Sequence, residues 1–235
     1  MKNKTILMTT ILTLCLGVSV LAHAESNSDA QVSDFYRVQP ATLKEVVPTA
    51  AELYSNVLAS AATKPVPQAE AFNLDWSTIT TIGEKIIQIV QAGKPVVNIT
   101  RDTVSAIPGG VSSWTQLSGW QAPVTKVYSL TAQNKLGMTI VDLRLKVSAN
   151  GGGGIDGKGK FIANLVVVPT SIYVLWGFNA DVFSEHQDAV NVGSSDNPVA
   201  GIGFDIRYKY GSSLFTQQGA QSYFVSGDGQ IKTVE

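Results

Sequence analysis

The chain is poor in the residues on which most thiol, metal and nucleophilic chemistry depends. Its 235 residues include one cysteine, Cys15, and two histidines, His23 and His186. One thiol cannot form a disulfide within the chain, and a zinc site usually takes several cysteine or histidine ligands. The sequence therefore excludes an intrachain disulfide and argues against a metal centre of this kind. We expect no metal and no cofactor.

Charged residues are also scarce. Asp, Glu, Lys and Arg make up 15% of the chain, the formal net charge is −1, and no run of basic residues occurs. Nucleic acids are bound largely through clustered Lys and Arg side chains that neutralise phosphates. The sequence therefore argues against a nucleic-acid partner.

The signatures of nucleophilic catalysis are missing. The chain has no Gly-x-Ser-x-Gly motif, and His186 lies in a polar stretch for which we predict an exposed loop. Glycoside hydrolysis needs two carboxylates that can be far apart in sequence, and the 18 acidic residues give no way to choose a pair. A carboxylate-dependent hydrolase is therefore an alternative, while the main interpretation is a protein without catalytic activity.

The first 24 residues are ordered like a secretory signal peptide. Two lysines precede an apolar run, Ile6–Leu21, which ends in Ala22-His23-Ala24. A positive segment, an apolar segment and an A-x-A site are the three parts of such a peptide. We predict cleavage after Ala24, a secreted or periplasmic protein, and a mature chain without cysteine. No later stretch is long and apolar enough to form a transmembrane helix.

Residues 25–72 are predicted to form a mobile leader, a helix and a proline-containing linker. The leader is rich in small polar residues. Between Pro48 and Ala62, apolar residues recur at helical spacing. The following Lys64-Pro65-Val66-Pro67 segment ends the helix, because proline removes a backbone donor and stiffens the chain.

A second helix is predicted from a stripe of isoleucines. Ile79, Ile82, Ile86 and Ile89 recur at spacings of three, four and three, and Gly93 follows as a stop signal. We expect this helix to dock on a sheet. The alternative is that it leaves the core and inserts into membranes, which would make the protein a secreted membrane-active effector.

The C-terminal part has the period of two that is typical of strands. Val141, Leu143, Leu145 and Val147 alternate with polar residues, and Ala200 to Tyr210 alternate in the same way. One buried and one wet face indicate antiparallel sheets. Residues 150–159, which include glycines 151–154 and Asp156-Gly157, lie between two such runs and predict the turn of a long hairpin.

These patterns together predict an α+β fold, in which a helical N-terminal segment packs on a C-terminal antiparallel β-sandwich. Residues 1–24 are the signal peptide, and residues 25–72 are the leader, helix and linker. Residues 73–235 form the domain, with one helix and the sandwich.

A loop with two tryptophans is the best candidate for a binding site. Trp114 and Trp120 lie in a polar stretch together with Gln116 and Gln121. A tryptophan beside amides can stack on a sugar ring or anchor a protein partner. The alternative is that both rings close the open end of the sheet. We predict an exported binding protein for a glycan, lipid or protein, with these four residues contacting the ligand.

Overall fold

The computed structural model describes residues 29–53, 75–83, 87–92 and 103–234. The predicted signal peptide, the proline-containing linker and most of the first predicted helix lie outside these ranges. Cleavage after Ala24 and export therefore stay predictions.

The described residues contain twelve strands in two antiparallel sheets. In chain order the strands are β1 (Lys44–Val46), β2 (Asp75–Ile82), β3 (Ile87–Ala92), β4 (Val104–Gly109), β5 (Val124–Gln133), β6 (Thr139–Ile155), β7 (Lys158–Val174), β8 (Asn179–His186), β9 (Val190–Asn191), β10 (Ala200–Gly211), β11 (Thr216–Ser226) and β12 (Gln230–Val234). The first sheet has the order β1-β5-β6-β7-β4-β2, and the second has β12-β11-β10-β8-β3 with β9 paired to β10. The predicted antiparallel sheet structure is confirmed.

Helical structure occupies little of the described chain: residues 29–36, residues 50–53 and one 3-10 turn, Trp114–Gln116. In the ranges that the structure covers, no helix combines the length and the apolar character that a membrane crossing needs.

The helix predicted over Ile79–Ile89 is wrong where the structure describes it. Its first half is β2 of the first sheet, and residues from Ile87 onward are β3 of the second sheet. The β2 sequence is dominated by Thr and Ile, whose branched side chains favour strands. Gly83 ends β2 with φ at 108°. Ile79 and Ile82 therefore lie on one strand and Ile89 on another, while Ile86 lies outside the described residues. Within the described residues, the effector alternative loses the helix on which it depended.

Residues from both sheets share one apolar core. The alternation predicted on β6 and β10 is confirmed, because the residues expected on the inner face of each strand are buried. The ring centroids of Tyr128 on β5 and Tyr223 on β11 lie 4.6 Å apart, so the two sheets are in direct contact.

The alternation predicted that the outer face of the first sheet is exposed to solvent along its whole length. Part of that face is buried. Lys146 is only 3% exposed. Residues 47–53 lie on this face, where Arg144 donates to the Glu52 carboxylate from Nε (3.0 Å) and Nη2 (2.9 Å). Thr170 donates to the same carboxylate over 2.6 Å. A second layer therefore covers part of a face that was expected to meet only water.

Glu52 also takes part in the cap of the helical turn 50–53, in which Thr49 is the N-cap residue. Its carboxylate accepts the Thr49 backbone N–H over 2.8 Å, and the Glu52 N–H points to the Thr49 hydroxyl over 3.3 Å. This is a capping box, which satisfies two donors at a helix start. The Arg144 guanidinium, helped by the Thr170 and Thr49 donors, holds the pKa of the buried Glu52 carboxyl well below its usual range.

The long hairpin is confirmed, and its turn lies within the predicted loop 150–159 but is much shorter than that loop. Gly151–Gly154 belong to β6, and the chain turns at Asp156 and Gly157, which have φ angles of 52° and 74°. Two successive positive φ angles are typical of a tight hairpin turn that matches strand twist. Pro169 lies inside β7.

Residues 35–43, here called the strap, connect the two sheets. Gln39 N donates to Gln133 O of β5 over 2.8 Å. On the other side, the Tyr208 and Tyr210 hydroxyls of β10 donate to the strap carbonyls of Ala41 (3.2 Å) and Gln39 (2.9 Å). The sequence predicted a mobile leader here. It could not show the strap, because the residues that form hydrogen bonds with the strap are more than ninety positions away.

Two tyrosines of the core, Tyr128 and Tyr223, are almost fully buried. The Tyr223 hydroxyl has no hydrogen-bond partner among the described residues. Burial, with a smaller contribution from the Glu45 charge, raises the pKa of Tyr128 to about 12. Burial is also the main cause of a raised pKa for Tyr223.

We expect Tyr223→Phe to raise the free energy of unfolding by up to about 1 kcal/mol, because it removes a buried hydroxyl that makes no hydrogen bond.

Unfolded tyrosines ionise near pH 10, so the wild type should lose stability as the pH rises above about 10. Tyr223→Phe should lose less unfolding free energy than the wild type over the same pH range. Urea unfolding at neutral and alkaline pH measures both effects. Tyr210→Phe is the control: it loses the bond to Gln39 and should be destabilised by about 1 kcal/mol.

Candidate functional site

Trp114 and Trp120 lie together at the glycine-rich end of the β6–β7 hairpin. Their rings form a T-shaped contact with centroids 6.0 Å apart, and both are half-buried against the core. The Trp120 Nε1 is buried without a hydrogen-bond partner in the described part of the chain. Recognition of a ligand by tryptophan usually uses an accessible ring face and N–H. The geometry favours a packing role for this pair, and ligand contact by it stays a prediction.

Gln116 and Gln121 have different surroundings. The Gln116 Oε1 accepts backbone N–H groups from Ser112 (3.0 Å) and Ser113 (3.1 Å), which completes a capping box on the 3-10 turn. That oxygen is therefore occupied within the loop. Gln121 is exposed, and its backbone N–H donates to Gly151 O over 2.9 Å.

Two backbone segments, around Ser118 and Gly227, converge on the glycine run of β6. Ser118 and Gly154 exchange both backbone hydrogen bonds at 2.9 Å, and Gly152 N donates to Gly227 O over 2.7 Å. A Cβ atom on Gly153 would overlap with the six-membered ring of Trp120. Glycine is needed here because the neighbouring chains and the indole occupy the space of a side chain.

A groove of about 630 Å³ lies on the second sheet, where β8, β10 and β11 run side by side. Five of its lining residues carry the groups that a ligand would meet: Phe183, Glu185, Arg207, Lys209 and Gln218. On β10, Arg207 and Lys209 occupy the outward positions that alternate with buried residues. The register places Phe183 of β8 directly beside Arg207. The groove therefore presents one aromatic ring among donors and acceptors.

Arg207 is the centre of an ionic network at this groove. Its Nη1 lies 3.1 Å from Glu185 Oε2, and its Nη2 lies 3.6 Å from Asp205 Oδ2. Ser222 donates to the other Asp205 oxygen over 2.6 Å. Exposed ion pairs of this kind contribute about 0–1 kcal/mol to stability. We therefore expect these ion pairs to orient the Arg207 guanidinium and to contribute little to the stability of the fold.

Metal and histidine chemistry find no support in the described ranges. These contain no group of three or more His, Cys, Asp or Glu side chains that could hold a metal ion. His186 is half-buried at the end of β8, not in the exposed loop that we predicted. Its Nε2 lies 3.0 Å from Gly83 O, and its Nδ1 lies 3.2 Å from Gln187 O. The ring lies near two backbone carbonyls, and β8 includes the first three residues of the polar stretch, 184–186.

The sequence did not predict the groove residues, because the aromatic side chains that indicated a binding site there were those of a loop. The signal that was available is the alternation on β10, where Asp205, Arg207 and Lys209 bring charges of both signs to one face. The partners of these residues on β8 and β11 depend on register, which one strand's sequence does not determine. No protein-family model, curated protein or solved structure matches this chain.

Proposed function

We propose that the protein is an exported, non-catalytic β-sandwich that binds a glycan in the groove across β8, β10 and β11. The groove, with Phe183 beside the Arg207 network, is the observation that carries this proposal. Export rests on the order of residues in the first 24 positions. The sandwich architecture is supported by the apolar core that residues of the two sheets share.

The side chains of the groove suit a ligand rich in hydroxyl groups. A sugar hydroxyl both donates and accepts hydrogen bonds, so it can pair with Glu185, with Arg207 and with the amide of Gln218. The Phe183 ring offers an apolar face for stacking on a pyranose. Acidic and basic groups lie close together here, so a polyanion would gain little from the site.

Binding to a panel of immobilised oligosaccharides, followed by titration calorimetry with those retained, tests the proposal. We expect Arg207→Ala to weaken binding about tenfold or more, because a hydrogen bond to a charged donor contributes about 1.5–3 kcal/mol. The melting temperature should not change measurably, since the Arg207 side chain is 57% exposed. Phe183→Ala should also weaken binding.

Lys126→Ala is the matched control, because Lys126 forms an exposed ion pair with Glu45 at 2.8 Å on the first sheet. It should bind the oligosaccharide like the wild type. Unchanged binding by both Arg207→Ala and Phe183→Ala, with loss in a folded Trp114→Ala variant, would place the site at the tryptophan pair. Release of a shortened sugar in the same assay would indicate hydrolysis instead.

A further inference from the structure

Three turns between consecutive strands, here called tips, carry large apolar side chains that are exposed to solvent. The β5–β6 tip (134–138) carries Leu136 and Met138, which are 51% and 44% exposed. The β7–β8 tip (175–178) carries Trp176, which is 77% exposed, and the β10–β11 tip (212–215) carries Leu214, which is 68% exposed. Large side chains usually bury much of their surface in a folded protein, so this concentration at turns is unusual.

Strand register places the three tips at one end of the molecule. Val141, next to the β5–β6 tip, pairs with Val174, next to the β7–β8 tip. Asn179, which follows the β7–β8 tip, pairs with Gly211, which precedes the β10–β11 tip. The three turns therefore point in the same direction, although they belong to two sheets.

Residues of the strap hold the three tips together. The Arg37 carbonyl accepts Lys135 N of the first tip over 2.8 Å. At the second tip, the Tyr36 ring lies 5.9 Å from the Phe178 ring, centroid to centroid. At the third, Ser212 Oγ donates to Tyr36 O over 3.1 Å. The tips thus form one surface with a common support, which we call the tip surface.

Two cations lie beside the apolar side chains of the tip surface. The three tips and strap residues 35–38 contain two cations, Arg37 and Lys135, and no acidic residue. The Arg37 guanidinium lies 5.1 Å from the centroid of the Phe215 ring, and Lys135 forms an ion pair with Asp34 of the preceding helix at 3.3 Å. Apolar side chains beside cations are complementary to a layer of acyl chains beneath anionic headgroups.

We infer that the tip surface docks the protein onto a lipid surface, with Trp176, Leu214, Leu136 and Met138 entering the interfacial layer and Arg37 and Lys135 contacting headgroups. Tryptophan favours this layer because its ring is apolar and its N–H is polar. The groove on the outer face of the second sheet is a separate feature and takes no part in this docking.

A lipid surface fits the shape of these tips better than a protein partner does. A specific protein interface buries a continuous apolar patch of complementary shape. Here the apolar side chains are divided among three separate turns, and their sequence neighbours include Gly137, Gly177 and Ser213. A fluid interface can accept such separate points without a matching surface.

The test is co-sedimentation with vesicles of phosphatidylcholine, alone or mixed with phosphatidylglycerol, using the full chain expressed in a secreting host. The wild type should partition onto the mixed vesicles. Trp176→Ser and Leu214→Ser should each weaken partitioning about tenfold, which corresponds to one large apolar side chain withdrawn from the interface. Arg37→Gln with Lys135→Gln should weaken binding to the mixed vesicles and leave binding to pure phosphatidylcholine unchanged.

Val192→Ser is the matched control. Val192 is 52% exposed and follows β9, which pairs with the opposite end of β10 from the tip surface. This variant should bind vesicles like the wild type, and all variants should keep the wild-type melting temperature because their side chains are exposed. Absence of wild-type partitioning at both compositions would overturn the inference, and so would equal partitioning by Trp176→Ser and the wild type.

Sedimentation velocity without lipid tests a second copy of the chain as the occupant of the tip surface. A monomer that binds vesicles supports lipid docking. A dimer that Trp176→Ser dissociates, in a protein that does not bind vesicles, would overturn it in favour of self-association.

Discussion

Gly153→Ala is expected to lower the free energy of unfolding by about 2–3 kcal/mol. The new methyl group would overlap with Cη2 and Cζ2 of Trp120, whose ring packs against the core and against Trp114. Adding one methyl group to a tightly packed site usually costs about 1–3 kcal/mol. We place this substitution at the upper end because the backbone of β6 is bonded to Ser118 and Gly227 and cannot easily retreat. Urea unfolding followed by circular dichroism measures the loss.

A double-mutant cycle shows whether the overlap with Trp120 is the cause. In a Trp120→Ala background the ring is gone, so Gly153→Ala should cost less than about 1 kcal/mol. Gly157→Ala is the control, because no atom lies within 4 Å of its Cβ position and its φ is 74°. It should cost about 1–2 kcal/mol through backbone strain alone, equally in both backgrounds. A similar cost of Gly153→Ala in both backgrounds would contradict the proposed packing.

Glu52→Ala is expected to destabilise the protein by about 3 kcal/mol near neutral pH. The substitution removes the carboxylate that Arg144, Thr170 and Thr49 share, and it leaves Arg144 partly buried without this partner. Breaking a buried ion pair by removing one member costs about 3–5 kcal/mol. The lower end applies because the Arg144 side chain keeps 26% of its exposure to water.

The effect of Glu52 should depend on pH in a definite direction. Its pKa is lowered in the folded protein, so the unfolded chain takes up a proton first as the pH falls. The stabilisation is complete above the unfolded pKa of about 4.3 and is lost as the pH decreases below it. The difference in unfolding free energy between the wild type and Glu52→Gln should therefore become smaller in acid.

Glu45→Gln is the control for this pH dependence, since Glu45 forms an exposed ion pair with Lys126. It should change the unfolding free energy by less than about 1 kcal/mol at any pH. If the difference between the wild type and Glu52→Gln stays constant from neutral pH into acid, the stabilisation does not depend on the charge of Glu52.

Part of the proposed sites could be predicted from short sequence patterns. The capping boxes Thr49-Ala50-Ala51-Glu52 and Ser113-Trp114-Thr115-Gln116 have the spacing that satisfies donors at a helix start. This pattern explains why Gln116 serves its own loop. It does not show that Glu52 also reaches Arg144, which lies 92 positions later. Such a contact depends on how the chain folds back.

The sequence alone determined which residues of β6 and β10 face the core, because side chains alternate along a strand whatever its neighbours are. It also determined that the C-terminal part forms antiparallel sheets. The isoleucine stripe led to the wrong prediction of a helix, because apolar residues at spacings of three and four fit either one helix or two strands separated by Gly83. Only the packing of those strands into different sheets decides between them.

Tertiary structure decided the rest: the strap between the sheets, the groove on β8, β10 and β11, and the three tips at one end. Each joins residues that are distant in sequence, and their meeting depends on register and on which strands become neighbours. Local pattern determines the conformation of a strand and its buried face. The surfaces on which the proposed functions depend arise only when several strands are placed side by side.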